Sequence, residues 1–356
     1  MSFFDRPTPL SRKNAYFAAA NTHKGFRSYF GELFAPYRKL VIKAGPGCGK
    51  STLMKKFAQA AEKKGHTVLR YYCSSDTSSL DAVAIPSLSL VILDGTPPHT
   101  VEPYLPVACD SLVDLTAFLD SAALSRYRDT ASAEQETVSR LYGRAYHLMA
   151  AVYSLELACD NVLADAFCED SAKRIVCRLL DKYGIEGEGE GKKLIRPTSA
   201  LGVKGYVAFD THERGAALVL SVKDRGIFAH RFFALLEKEL FRRGKTFEVT
   251  PRPLDERIDS LYLPEERILF TSRQRESEAD GRINLDRMLP CRGTGILKEC
   301  RPILKEADTL LSILTATLER IGSHHDRLES CYISAMDFDS LNTFSEELIK
   351  KEIVDS

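Results

Sequence analysis

Short apolar runs alternate with stretches of helical spacing along the first part of the chain. Residues 40–42, 67–72 and 88–93 are rich in apolar, aromatic or β-branched residues and are bounded by turn residues, which is typical of strands. Residues 53–65 instead have the spacing of an amphipathic helix that ends at a glycine. This alternation predicts an α/β fold with a mostly parallel sheet.

The remaining stretches complete the predicted architecture. Residues 78–86 form a short connection between the second and third strands, and residues 110–124 have the pattern of one helix. Longer helical patterns at residues 132–168 and 297–334 predict a helical cap on the sheet in each half of the chain. For residues 132–168, a coiled-coil site for a partner is the alternative. The polar, glycine-rich residues 186–193 are typical of a linker.

The loop after the first strand carries the strongest functional signal. Residues 44–51 (AGPGCGKS) meet the phosphate-loop pattern G-x-x-x-x-G-K-[ST], with alanine in the first glycine position. The glycines let the backbone curl so that its N–H groups, with the N-terminus of the next helix, point at phosphate oxygens. The residues predicted to bind nucleotide are Gly45, Pro46, Gly47, Cys48, Gly49, Lys50, Ser51 and Thr52.

Individual side chains of this loop have separate predicted roles. Lys50 would reach the β- and γ-phosphates, and the Ser51 hydroxyl would ligate Mg²⁺. Thr52 would contact the α-phosphate. Cys48 lies close to Lys50 and to a helix N-terminus, and both lower the pKa of a thiol. A nucleotide site that oxidation can block is therefore one interpretation, and simple occupancy of a variable loop position is the other.

Further acids and a histidine complete the predicted catalytic set. The third strand ends in Asp94, at the Walker B position, where a carboxylate holds the Mg²⁺ water shell beside Ser51. His99 follows and would touch the γ-phosphate or position water, unless it belongs to an ordinary turn. Asp76, at the carboxyl end of the second strand, would be the base for an acceptor hydroxyl or would cap a helix beginning near Ser78. The predicted catalytic residues are Lys50, Asp94, Asp76 and His99, and the predicted metal ligands are Ser51 and Asp94.

The N-terminal lead-in, residues 1–38, has two interpretations. Phe26, Phe30 and Phe34 recur at helical spacing, which favours a short amphipathic helix that packs on the sheet. Alternatively, a polar residue of the lead-in faces the base or ribose of a nucleotide. The candidates are Thr22, His23 and Lys24.

The second half of the chain repeats the pattern of the first. Residues 53–65 align with residues 232–244, and residues 39–47 and 90–92 align with residues 218–226 and 268–270. We therefore expect a tandem duplication of a phosphate-loop domain with its helical cap. The predicted domains are residues 1–190, with intact motifs, and residues 195–356, a degenerate copy.

The second copy lacks the residues that bind Mg²⁺ and phosphate. Gly47 aligns with Gly226, but the other key positions differ: Lys50 aligns with Ala229, Ser51 with His230 and Asp94 with Ser272. We expect no ordinary Mg²⁺–nucleotide binding in this copy and a structural or regulatory role instead. Its old phosphate loop offers two candidate arginine fingers for the first site, Arg225 and Arg231.

Composition and charge limit the expected cellular location and the expected classes of partner. The 356 residues include 49 Lys and Arg against 49 Asp and Glu, so no net charge steers the chain toward nucleic acid or an anionic membrane. No apolar run approaches the ~18 residues of a transmembrane helix, and the N-terminus lacks the order of a signal peptide. Nine cysteines without a C-x-x-C pair are typical of free thiols. We expect a cytoplasmic protein with no membrane partner and no evident nucleic-acid partner.

From residue 41 to residue 98 the sequence resembles an uncharacterised bacterial family of tandem P-loop proteins, described only as ATPases or nucleotide kinases. The matching segments are GPGCGKSTLMKK, CSSDTSSLDAVAIPSL and ILDGTPPH. The resemblance implies a P-loop NTPase fold in two copies and ATP binding, with no particular substrate. The family more often keeps a second phosphate loop, so the DRGIFAHR stretch of the second half is a departure.

Three functions fit these features. The favoured one is an ATP–Mg²⁺-binding P-loop NTPase that hydrolyses ATP slowly and couples hydrolysis to a conformational change felt by a partner. The alternative is a small-molecule or nucleotide kinase, with Asp76 as base and the helical cap as lid. The second alternative is a nucleotide sensor with negligible turnover, because binding uses the same residues. The expected ligands are ATP and Mg²⁺, with an unknown protein or small-molecule partner.

Overall fold

The computed structural model describes residues 7–164, 167–223, 229–273, 279–285 and 293–355. Within these ranges the chain is an α/β protein built on two mixed six-stranded sheets. None of the helices in these ranges is long and apolar enough to cross a membrane. The strands are β1 (Thr8–Leu10), β2 (Ala15–Phe17), β3 (Ala19–Thr22), β4 (Gly25–Ser28), β5 (Arg38–Lys43), β6 (Leu69–Tyr72), β7 (Leu80–Ile85), β8 (Leu90–Asp94), β9 (Ser111–Asp114), β10 (Lys192–Ile195), β11 (Ser199–Gly202), β12 (Gly205–Phe209), β13 (Leu218–Lys223), β14 (Thr246–Pro251), β15 (Ile258–Leu263), β16 (Ile268–Thr271) and β17 (Gly281–Asn284). The helices are α1 (Phe30–Phe34), α2 (Lys50–Lys63), α3 (Ser121–Ser125), α4 (Arg128–Ala164), α5 (Glu169–Lys182), α6 (Thr211–Gly215), α7 (Ala229–Arg242), α8 (Gly293–Ile333) and α9 (Phe338–Ile349).

The first sheet has the strand order β2-β6-β7-β8-β5-β9. Strand β7 is antiparallel to both of its neighbours, whereas the other pairs are parallel. The prediction that residues 78–86 are only a connection is therefore wrong, since they contain β7. All 6 residues of β7 are buried, and they divide between the cores on the two faces of the sheet. The strand was missed because Asp81 interrupts its apolar run and two of its residues are alanine, a residue type that is uncommon in strands.

The second sheet repeats this arrangement, with the order β10-β14-β15-β16-β13-β17 and β15 as its antiparallel strand. Leu40 of β5 pairs with Ile92, and Leu220 of β13 pairs with Phe270. The predicted alignment places Ile92 on Phe270 and Leu40 on Val219, so the strand partner of Phe270 lies one residue beyond the position that this alignment predicts. The connection from β13 to α7, residues 224–228, is one residue shorter than residues 44–49, and it lies outside the described residues.

Two predicted helices are wrong in part. In the lead-in, Phe26 lies in β4, and the helix α1 contains only Phe30 and Phe34 of the three aromatic residues. Both α1 residues are buried against the sheet, as expected. Residues 110–124 form the edge strand β9 and the short helix α3, because the segment pairs with β5 and has Val113 as its buried position.

The long helices α4 and α8 pack against each other in antiparallel orientation. Near one end, Glu134 Oε2 lies 2.6 Å from Nδ1 of His324. Near the other end, the Cys159 thiol donates to the carbonyl oxygen of Cys300 at 3.8 Å. The apolar faces of both helices share a core with the hairpin β11–β12. The long helical patterns are confirmed, but the caps pack mainly on each other rather than each on its own sheet.

The helix that follows each long helix packs on the sheet of the other half. Helix α5 contributes Ala172, Val176 and Leu180 to the core of the second sheet. Helix α9 and the turn after it contribute Leu341 and Ile353 to the core of the first sheet. The two halves therefore interlock, and the last part of the chain lies on the first sheet.

Candidate functional site

The predicted phosphate loop connects the carboxyl end of β5 to the first residue of α2. Gly47 (φ 71°) and Gly49 (φ 80°) have left-handed backbone angles, which favour glycine. Helix α2 begins at Lys50, so the N-terminal N–H groups of a long helix lie at the end of the loop. This arrangement offers backbone donors and the positive end of a helix to an anion.

The Lys50 ammonium joins the loop to the end of β8. Its Nζ donates hydrogen bonds to the carbonyl oxygens of Ala44 (3.0 Å) and Gly45 (2.9 Å). The same nitrogen lies 3.4 Å from Oδ2 of Asp94, and both side chains are largely buried. Lys50 and Asp94, which were predicted from two separate motifs, are therefore close together in the structure. A phosphate oxygen suits the ammonium, and a divalent cation suits the carboxylate.

Asp94 and Ser51 are the residues that could hold Mg²⁺. Oδ1 of Asp94 accepts hydrogen bonds from the N–H (2.9 Å) and the hydroxyl (2.5 Å) of Thr96. The Ser51 hydroxyl oxygen accepts a hydrogen bond from the N–H of Leu80, at the start of β7, at 3.0 Å. These contacts orient both side chains. Their oxygen atoms are the hard ligands that Mg²⁺ prefers, so the residues present fit this ion.

His99 forms a buried pair with Asp81 of β7, a partner that the sequence did not identify. Nε2 of His99 lies 3.2 Å from Oδ2 of Asp81, and its ring stacks on Phe30 with centroids 4.5 Å apart. Burial disfavours the charged imidazole, but the Asp81 carboxylate outweighs burial and raises the pKa of His99. The Asp94 carboxylate raises the pKa of His99 further, and the Lys50 ammonium lowers it. The charges of the loop site therefore influence the pKa of His99.

Asp76 is held in a turn. Its carboxylate accepts hydrogen bonds from the N–H of Ser78 (3.0 Å) and from the hydroxyls of Ser78 (2.5 Å) and Ser79 (3.2 Å). Partial burial opposes ionisation, but the bonds from Ser78 and Ser79 hold the pKa of Asp76 below its usual value. Asp76 therefore caps the turn that leads into β7, and no helix begins near Ser78.

The prediction of a low pKa for Cys48 is wrong. The thiol is 1% exposed, and Sγ lies 3.7 Å from the carbonyl oxygen of Pro46. Burial raises the pKa of Cys48, and the nearby Lys50 ammonium offsets only part of this effect. The sequence argument considered the positive charges around the loop but not the loss of water around the thiol.

The end of α8 and the start of α9 lie directly on the phosphate loop, a contact that no local sequence signal indicates. We call residues 329–341 the α8–α9 junction. A Cβ placed on Gly45 would come within 2.3 Å of the Tyr332 ring, and one placed on Gly47 within 2.8 Å of the Glu329 carbonyl oxygen. The loop glycines therefore also permit close packing by a helix from the second half of the chain.

Two side chains at the start of α7, the segment that the predicted alignment places on residues 50–52, contact a carboxylate of α4. Arg231 Nη2 lies 3.1 Å from Oδ1 of Asp160, at the end of α4. His230 Nε2 lies 3.5 Å from the same oxygen. Arg231, one of the two candidate arginine fingers, thus pairs with α4. The other predicted residues of this loop lie outside the described residues: Arg225 and Gly226.

The polar lead-in residues lie in the hairpin β3–β4, which packs on α4 and on the second half. The His23 ring stacks on Tyr153 of α4 at 3.9 Å between centroids, and the backbone N–H of His23 donates to the carbonyl oxygen of Leu254 at 2.9 Å. The Thr22 hydroxyl donates to the carbonyl oxygen of Gly25 at 2.8 Å. These contacts give the hairpin a role in joining the two halves.

Comparisons with known proteins bear on one segment of the chain. The family model described as Nephrocystin 3, N-terminal, matches residues 27–94. This segment runs from β4 to the end of β8 and includes the phosphate loop and Asp94. No curated protein and no solved structure matches the chain.

Proposed function

We propose that the chain is a P-loop NTPase that binds ATP–Mg²⁺ and hydrolyses it slowly, coupling hydrolysis to a conformational change felt by a partner. The observation that carries this proposal is the approach of Lys50 Nζ to Oδ2 of Asp94, 3.4 Å apart at the end of the phosphate loop. The first residue of helix α2 and the last residue of strand β8 meet where the loop offers backbone donors. This combination suits a nucleotide phosphate with its metal ion better than it suits a structural turn.

Each residue has a defined part in this proposal. The backbone N–H groups of Gly45 and of residues 47–51 bind phosphate oxygens, and Lys50 turns from the loop carbonyls toward the β- and γ-phosphates. Ser51 and Asp94 hold the metal, and Thr52 contacts the α-phosphate. When bound, Mg²⁺ neutralises charge on the phosphate oxygens. His99, oriented by Asp81, lies beside this site as the candidate for contacting the γ-phosphate or orienting water.

We further propose that the two halves are duplicated P-loop domains and that the second has lost its nucleotide site. The shared strand order, the single antiparallel strand in each sheet and the equal length of α2 and α7, 14 residues each, support this view. The positions of Lys50 and Ser51 hold Ala229 and His230. At the end of β16, Ser272 replaces the metal-binding acid. The proposed role of the second half is structural or regulatory.

The kinase alternative depends on Asp76 as a base. The hydrogen bonds of Asp76 to Ser78 and Ser79 count against that role, because an acceptor hydroxyl would compete with them. The sensor alternative requires nucleotide binding but no hydrolysis, so a measurement of ATP turnover distinguishes it from the ATPase.

The cysteines of the described residues are all free, which supports the proposal of a reducing, cytoplasmic setting.

The test is to measure ADP and free phosphate from ATP–Mg²⁺ with the purified wild type beside Lys50→Ala. Equal release of both products, lost in the variant, supports the ATPase. ADP without free phosphate, formed only when a metabolite extract is added, favours the kinase, and Asp76→Asn is then the next variant. Binding without either product favours the sensor. Absence of any ATP binding contradicts all three.

A further inference from the structure

We propose that the α8–α9 junction forms the wall of the nucleotide site that receives the base and ribose. The inference rests on the proposed function of the phosphate loop and assigns the second half a direct part in nucleotide recognition. The ligand is a nucleoside triphosphate, in which this wall binds the nucleoside and the loop binds the phosphates. The sequence gives no sign of this wall, since the junction and the loop lie in opposite halves of the chain.

The first observation is the closeness of the junction to the loop. A Cβ on Gly45 would meet the Tyr332 ring at 2.3 Å, and one on Gly47 would meet Ile333 Cγ1 at 2.9 Å. A Cβ on Gly49, at the N-cap of α2, would meet Leu341 Cδ2 at 2.8 Å and Phe338 Cε1 at 3.8 Å. Large apolar side chains of the junction therefore border the loop at three successive glycines.

The second observation is the side of the loop on which the junction lies. The N–H of Asp120 donates to Ala335, and the N–H of Asp337 donates to Phe118, at 2.8 and 2.9 Å. Phe118 and Asp120 follow β9, which pairs with β5 on the side opposite β8. In the proposed site, the metal ion and the γ-phosphate bind beside Asp94, which lies at the end of β8. A triphosphate with its γ-phosphate at Asp94 therefore directs its nucleoside toward the β9 side and the junction.

The third observation is the chemistry of the junction. Ile333 is 47% exposed and Phe338 is 38% exposed, although both are large apolar residues next to a polar loop. Together with Tyr332 they offer flat and apolar surface, on which a base can stack. The Glu329 carboxylate, 3.5 Å from His325, would repel a phosphate but can accept hydrogen bonds from ribose hydroxyls or an exocyclic amine. This set fits a nucleoside better than it fits a phosphate.

The experiment compares ATP–Mg²⁺ with inorganic tripolyphosphate–Mg²⁺ by calorimetric titration. The variants are Tyr332→Ala and Phe338→Ala, with Tyr332→Phe as the conservative change. Ile313→Ala is the matched control, because Ile313 is an exposed apolar residue on the same helix, α8. We expect the alanine variants to weaken ATP binding roughly tenfold to a hundredfold. Tripolyphosphate affinity should stay unchanged, and this also shows that the phosphate loop remains folded.

Two results would overturn this inference. Equal ATP affinity in the wild type and both alanine variants would mean that the junction does not contact the nucleoside. Tighter binding of both ligands in the variants would mean that the junction obstructs the loop rather than completing the site. A failure of the proposed function is distinct, since the wild type would then bind neither ATP nor tripolyphosphate.

Discussion

Gly47 in the phosphate loop lies against the main chain of Glu329 in α8, so closely that a Cβ on the glycine would come within 2.8 Å of the Glu329 carbonyl oxygen. The loop and the second half of the chain are thus packed together at the residues that the sequence assigns to phosphate binding. A change in the loop backbone on binding phosphate would act directly on α8. This contact is the physical link between the proposed nucleotide site and the rest of the molecule.

The packing at Gly47 predicts that Gly47→Ala destabilises the protein more than Gly65→Ala. Both glycines have positive φ, 71° and 84°, so both substitutions carry about 1–2 kcal/mol of backbone strain. A Cβ on Gly65 meets no atom within 4 Å, whereas a Cβ on Gly47 collides with Glu329. We expect Gly47→Ala to lower the free energy of unfolding by about 1–3 kcal/mol more than Gly65→Ala in urea titrations. Equal losses would mean that α8 does not rest on the loop.

The His99–Asp81 pair predicts a pH-dependent contribution to stability. Because the pKa of His99 is raised in the folded protein, its stabilising effect is fully present below the pKa of an unfolded histidine. The effect is lost as pH rises through the folded pKa. His99→Gln should therefore lower the free energy of unfolding more at about pH 6 than at about pH 9. Urea titrations of both proteins across this range test it, and a pH-independent difference would rule out the charged pair.

The contact between α4 and the second half predicts a large effect of one buried acid. Glu156 of α4 pairs with Arg252 at 2.5 Å, and both side chains are largely buried. Glu156→Ala would remove one of the two carboxylates that pair with the buried Arg252 guanidinium, the other being Asp255, so we expect a loss of about 2–3 kcal/mol in the free energy of unfolding. Glu136→Ala, an exposed acid on the same helix, should change it by less than about 0.5 kcal/mol. Similar values for the two variants would show that this ion pair does not fasten α4 to the second half.

Burial of the Cys48 thiol predicts slow chemical modification. Cys168 is exposed, and its hydrogen bonds with Ser171 lower the pKa of its thiol, whereas burial raises the pKa of Cys48. We expect iodoacetamide at neutral pH to label Cys168 well before Cys48, as followed by mass spectrometry of the peptides. Labelling of Cys48 first would restore the interpretation of a reactive thiol in the loop. Unfolding in urea should abolish the difference.

The sequence was most informative where function depends on local chain geometry. The strand, the Gly-rich loop and the helix around Lys50 occur as predicted, because glycine, lysine and serine at fixed spacing constrain the backbone directly. The sequence missed β7, because its six residues LDAVAI include an aspartate and two alanines, which are not typical of strands. It also overextended the lead-in helix, since Phe26 happens to lie one helical turn before Phe30 but belongs to a hairpin.

Contacts between elements that are distant along the chain could not be predicted from local patterns. Asp81 meets His99 only because β7 is inserted beside β8, and the sequence contained no sign of that strand. Likewise, α9 packs on the first sheet because the helices cross between the halves, an arrangement that amphipathic spacing cannot specify. Spacing shows that a helix has an apolar face, but not which surface covers it.

The most direct test of the nucleotide site is calorimetric titration of ATP–Mg²⁺ into the wild type, Lys50→Ala and Lys63→Ala. Lys63 is an exposed lysine in the last turn of the same helix, α2, so it controls for loss of a positive charge. We expect the wild type and Lys63→Ala to bind with the same affinity and Lys50→Ala to bind at least about tenfold more weakly. Equal affinity of Lys50→Ala and the wild type, or no binding by any of the three proteins, would contradict a nucleotide site at residues 45–51.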